Sequence, residues 1–210
     1  MELSFNFSKT FRFELINNHA KAETVLYVLH GYGQLVKYFI RKFGGIPDDI
    51  MIVAPEGMHR FYLKGASGRV GASWMTKELR ETDIQDNIDW LNALDEKISS
   101  EYPIKRRYLL GFSQGGSTAI RWAIHGKPKF EALFIWASDF PPEEKVNAHL
   151  LSCDEQHFFM GSNDEFFDEL RQKELITYYE NIGFKISAYL GTHDIQNETL
   201  LKVFNRVHKN

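Results

Sequence analysis

The sequence predicts an α/β fold in which a mostly parallel sheet carries helices on both faces. Three observations lead there. Near-continuous apolar runs, clearest at residues 24–29, 50–54 and 132–137, have the composition of strands buried on both sides. Stretches of helical period separate them, as at Ile84, Ile88, Leu91, Leu94 and Ile98. One apolar run, Tyr108-Leu109-Leu110, passes without a break into Gly111-Phe112-Ser113-Gln114-Gly115-Gly116 and then into a further helix. Strands alternating with helices favour parallel pairing through right-handed crossovers. The 210 residues suit a single domain, 1–210, with an adequate buried core.

Taken in order, residues 3–16 alternate on one parity through Leu3, Phe5, Phe7, Phe11, Phe13 and Leu15, interrupted at Ser8-Lys9-Thr10, which reads as an antiparallel hairpin at a sheet edge. The buried strand 24–29 runs directly into His30-Gly31-Tyr32-Gly33, a helix follows over 35–43, and Gly44-Gly45 ends it. After the strand 50–54, stopped by Pro55, residues 55–76 show no periodicity and read as a long functional loop. Thr82-x-x-Gln85 has the form of a capping box opening the long helix, with Asp83, Asp86 and Asp89 on its solvated side. Further strands are expected at 132–137, 156–160 and 184–190, with helices at 166–181 and beyond residue 194.

Composition narrows the partners. With 25 Lys+Arg against 28 Asp+Glu, a net charge of -3 leaves no basic surplus for a nucleic-acid backbone, so no nucleic-acid partner is expected. A lone cysteine, Cys153, forms no internal disulfide, and Met1-Glu2-Leu3-Ser4-Phe5 lacks the basic-then-apolar start of a secretion signal, so a cytoplasmic protein is expected. No apolar run approaches the ~18 residues of a membrane span. The histidines show no metal-ligand spacing, and neither a metal nor a cofactor is expected.

The chemistry centres on Gly111-Phe112-Ser113-Gln114-Gly115. Fifteen glycines and twelve serines would produce this spacing by chance roughly 0.06 times in such a chain. A strand-to-helix turn this sharp lifts a serine hydroxyl clear of the sheet, and side chains at 111 and 115 would collide in it. A serine hydroxyl is a weak nucleophile at neutral pH and needs an imidazole base, itself oriented by a carboxylate. In the chain order serine, acid, histidine, His193 is the candidate base, since it directly follows a strand while His208 lies near the chain end. His30 precedes the serine and is expected to shape its own turn. Two acids follow strands, Asp164 and Asp139; the turn residues Gly161 and Asn163 favour Asp164, which leaves Asp139 and its neighbour Phe140 to line the pocket. Backbone amides of Gln114 and Tyr32, with Gly33 able to replace Tyr32, are the candidate oxyanion donors. Trp74, in the loop with Arg69 and Met75, either walls the substrate site or packs that loop down. Gly33, Trp74, Asp139 and Phe140 complete the candidate substrate-binding set.

Together, His30-Gly31-Tyr32-Gly33, Gly111-Phe112-Ser113-Gln114-Gly115-Gly116, Gly161-Ser162-Asn163-Asp164 and Gly191-Thr192-His193-Asp194-Ile195 resemble the small phospholipase/carboxylesterase family of α/β-hydrolases, which includes the acyl-protein thioesterases. The resemblance implies a single-domain α/β-hydrolase without a large lid that cleaves carboxylic esters or thioesters, with Ser113, Asp164 and His193 as triad and the amides of Tyr32 and Gln114 as oxyanion hole. Its substrate would be a small-molecule or carrier-bound acyl ester. The chain departs from the family pattern in Glu165-Phe166-Phe167 after the acid and in Ser138-Asp139-Phe140-Pro141, where Asp139 is an unexpected acidic group.

Overall fold

The computed structural model describes residue 5 and residues 7–209. In chain order the strands and helices are β1 (Phe13–Ile16), β2 (Thr24–Leu29), α1 (Val36–Phe39), β3 (Ile50–Pro55), β4 (His59–Tyr62), β5 (Val70–Ser73), α2 (Arg80–Glu101), β6 (Arg106–Phe112), α3 (Gln114–His125), β7 (Ala132–Trp136), β8 (Glu155–Gly161), α4 (Glu169–Asn181), β9 (Lys185–Tyr189) and α5 (Asn197–Lys209). Short 3-10 segments extend α1 over Ile40–Phe43 and join β7 to β8 over Pro142–Leu150.

Seven strands form one sheet in the order β1-β3-β2-β6-β7-β8-β9, parallel throughout except for the antiparallel edge strand β1. β6 lies at the centre of that order, so the serine at its end leaves the middle of the sheet. Successive residues of a strand face opposite sides, and the core is divided accordingly. On one side Val25, Tyr27, Leu29, Leu109 and Leu133 pack against Leu91 and Leu94 of α2, Ile120 and Trp122 of α3 and Tyr179 of α4. On the other, Leu26, Val28, Tyr108, Leu110 and Phe134 meet Val36 and Phe39 of α1 and Val203 and Phe204 of α5. Both faces being covered is why these strands lack polar alternation.

Four expectations change in three dimensions. Of the hairpin expected over residues 3–16, the described residues form β1 alone, paired to β3; Leu3, Ser4 and Asn6 lie outside the described residues. Among the described residues before it none is in a strand, and Phe11 stacks on Trp90 at 4.6 Å. The capping box does not cap: α2 starts three residues earlier, with Leu79 in the left-handed conformation as its N-cap, so Thr82 lies inside the first turn. Asp83 is buried rather than solvated, accepting hydrogen bonds from His59 Nε2 (2.9 Å) and the Thr76 amide (3.3 Å), whereas Asp86 and Asp89 are exposed as expected. Residues 55–76 contain the β4–β5 hairpin, whose four-residue strands are too short and too rich in polar residues to show a period.

The tightest packing surrounds the β6–α3 turn. A Cβ placed on Gly111 would lie 2.5 Å from the Gly115 carbonyl oxygen, and one on Gly115 would lie 2.3 Å from the carbonyl oxygen of Leu29. Main chain of neighbouring strands cannot yield as a side chain can. Gly115→Ala is therefore expected to lose about 2–3 kcal/mol of stability or to fail to fold. Gly44→Ala, whose Cβ meets nothing closer than 3.8 Å and whose φ is -63°, should be neutral or slightly stabilising. Urea unfolding of the two variants checks this; equal losses would contradict the close approach.

Candidate active site

Ser113 sits between β6 and α3 with φ 54° and ψ -123°, a conformation that costs an L-residue about 1–3 kcal/mol and persists only where its surroundings enforce it. Two enforcing contacts are visible: the Ser113 amide donates to the Trp136 carbonyl of β7 (2.8 Å), and the Gly116 amide donates back to the Ser113 carbonyl (2.8 Å). The next residue, Gln114, is anchored through its side chain. Its Nε2 donates to Met75 O (2.9 Å), and its Oε1 accepts from the Trp74 amide (3.1 Å).

The acid and histidine loops are zipped together by main chain. The Ser162 amide donates to Tyr189 O and the Asn163 amide to Gly191 O, both at 2.9 Å. Gly161 allows this, since a Cβ there would stand 2.5 Å from Gly191 O. The result brings Asp164 Oδ2 within 2.7 Å of His193 Nδ1, with the Asp164 side chain fully buried and that of His193 only 9% exposed. The second oxygen of Asp164 accepts from the Phe166 amide (2.9 Å), so the carboxylate is held from two sides. The imidazole packs against Phe112, the residue before Ser113, at 4.9 Å between ring centres. The residue preceding Ser113 thus touches the imidazole, and among the described residues no hydrogen bond joins Ser113 to His193. Free enzymes often tighten such bonds only around substrate.

Asp139, the other acid considered, lies elsewhere: its side chain is half exposed and pairs with Arg171 at 2.5 Å. Trp74 is fully buried, donates its indole N–H to His30 O (2.8 Å) and packs on the His30 ring, so it holds the loop down and presents no wall to a ligand. Phe140 is likewise buried, against Tyr178 and Tyr179. Gly33, by contrast, lines an open cavity beside Tyr32. Of the two oxyanion candidates in that loop, the Gly33 amide is consumed by Ala72 O (2.8 Å), while the amides of Tyr32 and Gln114 have no acceptor among the described residues.

Several supporting residues were given no role by the sequence, although Glu165 and Phe166 stand in the stretch that departs from the family pattern. Glu165 accepts the His193 amide (3.1 Å), and Phe166 lies over the imidazole at 4.5 Å between ring centres. Tyr189 and Trp136 both donate to the carbonyl of Asp194, at 2.6 and 3.0 Å, and Lys42 pairs with its carboxylate from 152 residues away. Such partners are set by strand order, which a linear pattern does not contain. Among the described residues no group of three or more His, Cys, Asp or Glu side chains could hold a metal ion, and no helix is long and apolar enough to cross a membrane.

His30 is buried at the base of this loop, its Nδ1–H donating to Gly31 O (2.8 Å) and its Nε2 accepting from the Gly57 amide (2.9 Å). Only the neutral ring can do both. Burial, opposed by the Gly31 hydrogen bond, lowers its pKa from 6.5 to about 4. Between those values the unfolded chain holds the extra proton, so stability should rise with pH over that window by up to about 3 kcal/mol and then cease to change from this source. Urea unfolding across pH 4–7, together with NMR of the histidine rings, checks it; a His30 resonance titrating near 6.5 would contradict the buried neutral ring.

Comparison with known proteins agrees with this architecture. A family model described as Phospholipase/Carboxylesterase matches residues 12–209. Among solved structures, the esterase PE8 shares 18% identity at a TM-score of 0.73, covering 96% of this chain and 99% of its own. Acyl-protein thioesterase 2 of Zea mays shares 15% at 0.68, covering 94% and 98%. A Bacillus cereus carboxylesterase shares 14% at 0.66, covering 95% and 94%. No curated protein matches the sequence significantly. The chain, with its mostly parallel sheet, belongs to the phospholipase/carboxylesterase family of α/β-hydrolases.

Proposed function

We propose that the protein is a serine hydrolase that cleaves carboxylic esters or thioesters through an acyl-enzyme. The observation that carries this reading is the strained Ser113, whose preceding residue Phe112 packs on His193, together with a buried Asp164–His193 pair joined at 2.7 Å. A packing serine has no need of a positive φ, and a packing histidine has no need of a buried carboxylate on Nδ1.

In this reading the Ser113 hydroxyl attacks the ester carbonyl while His193 Nε2 takes its proton, and Asp164 holds the imidazole in the required tautomer and stabilises the imidazolium. The carbonyl oxygen, now an anion, accepts hydrogen bonds from the Tyr32 and Gln114 amides, which are already oriented and so cost little reorganisation. His193 then gives its proton to the departing alcohol or thiol. Water, activated by the same imidazole, releases the acid and restores Ser113. The segment joining β7 to β8 spans residues 137–154, nine of them in the 3-10 run Pro142–Leu150, too short for a large lid. An open site of this kind suits short soluble esters or an acyl group carried on a larger molecule.

Hydrolysis of a chain-length series of p-nitrophenyl acyl esters tests the reading. The parent protein should turn over, and Ser113→Ala should fall by roughly 10⁴-fold or more in kcat. A folded parent inert toward every ester would instead favour a ligand-binding role for the same fold. Asp164→Asn should cost roughly 10³–10⁴-fold, whereas Asp139→Asn, with its carboxylate turned to Arg171, should change turnover less than about threefold. The reverse order of effects would move the acid to Asp139.

A further inference from the structure

A cavity of about 740 Å³ opens directly beside the proposed oxyanion loop. Gly33 forms its inner edge, Lys37 and Lys42 line it from α1 and the following 3-10 turn, and Arg69 lines it from the β4–β5 hairpin. The hairpin is not loosely placed. Ala72 exchanges backbone hydrogen bonds with Gly33 and Gln34, at 2.8 and 3.2 Å, and Arg69 O accepts from the Leu63 amide (2.8 Å). Arg69 therefore projects from a backbone tied to the oxyanion loop itself.

Three cations from two separate segments line one concavity of a protein whose net charge is -3. Lys42 is neutralised by Asp194 (2.6 Å), the residue after His193. Lys37 and Arg69 have no acidic partner among the described residues. Lys37 Nζ lies over the Tyr38 ring at 4.9 Å, with Arg41 also over that ring at 5.3 Å. A concave site with cations of one sign concentrates anionic ligands and speeds their capture.

We infer that the substrate carries an anionic group, a carboxylate or a phosphate, which Lys37 and Arg69 bind in this cavity while the ester carbonyl lies at the Tyr32 and Gln114 amides. The inference rests on the hydrolase reading above and names its substrate class. Gly33 lines the cavity and follows Tyr32 directly, so the cavity adjoins the proposed oxyanion loop.

The test compares esters matched in size and differing in charge. On the alcohol side, 4-carboxyphenyl acetate and 4-acetoxyphenyl phosphate are each set against 4-carbamoylphenyl acetate. On the acyl side, mono-4-nitrophenyl glutarate is set against its terminal amide, and 4-nitrophenyl acetate reports hydrolysis itself. At least one anion should be preferred over its neutral match by roughly tenfold or more in kcat/KM, the preference should shrink as salt is raised, and the preferred member identifies the group and the side that carries it. In Lys37→Met/Arg69→Met the ratio should fall towards one; being a ratio within one protein, it is insensitive to how much of the variant is folded. Charged and neutral esters turned over within about twofold of each other, or a preference that survives the double substitution, would overturn the inference while the hydrolase reading stands. A folded parent inert toward every one of these esters, charged and neutral, would sink both.

Discussion

The structure depends on one crowded junction, where β2, β6 and the start of α3 approach within backbone contact. The carbonyls of Leu29 and His30 lie 2.3 and 2.5 Å from where a Gly115 side chain would begin, and Gly111 is enclosed by Gly115, Gly116 and Ala119. That packing holds Ser113 at φ 54°. The conformational cost, about 1–3 kcal/mol, is offset by the core around it, since the sheet strands on both sides of β6 are fully buried. The same crowding puts the N-terminal amide of α3 beside the loop after β2, so the proposed nucleophile and both proposed oxyanion donors come from one rigid unit.

The histidine side is built on a different principle. Its loop hangs beyond β9 near the sheet edge, where strands are only partly buried, and many hydrogen bonds add to its close approach to Gly161. Asp164, Glu165, Tyr189, Trp136 and Lys42 each hold one group of residues 193–194, and Phe166 covers the imidazole. The Glu165-Phe166-Phe167 sequence that departs from the family pattern thus lies directly on the proposed base. Its departure at Asp139 has a quieter account, an exposed ion pair with Arg171, and such pairs contribute little to stability.

The β4–β5 hairpin links these two halves to the surface around them. Its backbone pairs with the oxyanion loop, the Trp74 that follows it seals His30, and its turn carries Arg69 over the adjoining cavity. An unpatterned stretch of sequence therefore sets both the rigidity of the loop after β2 and the charge of the space beside it.

The sequence by itself determined the α/β class, the placement of the parallel strands and the sharp turn at Ser113, because two-sided burial and backbone crowding leave direct marks in composition: apolar runs and glycines at set spacing. It also singled out Asp164 and His193, which follow strands in the order such a sheet requires. Only the tertiary structure decided between residues whose roles depend on distant partners. Gly33 gives its amide to Ala72 while Tyr32 keeps its own free, Trp74 and Phe140 turn inward, Asp83 finds His59, and Thr82 falls inside a helix that begins at Arg80. The reason is physical: a hydrogen bond or an ion pair such as Lys42–Asp194 is made by whichever groups the strand order brings within about 3 Å, and nothing local in the chain encodes which those will be.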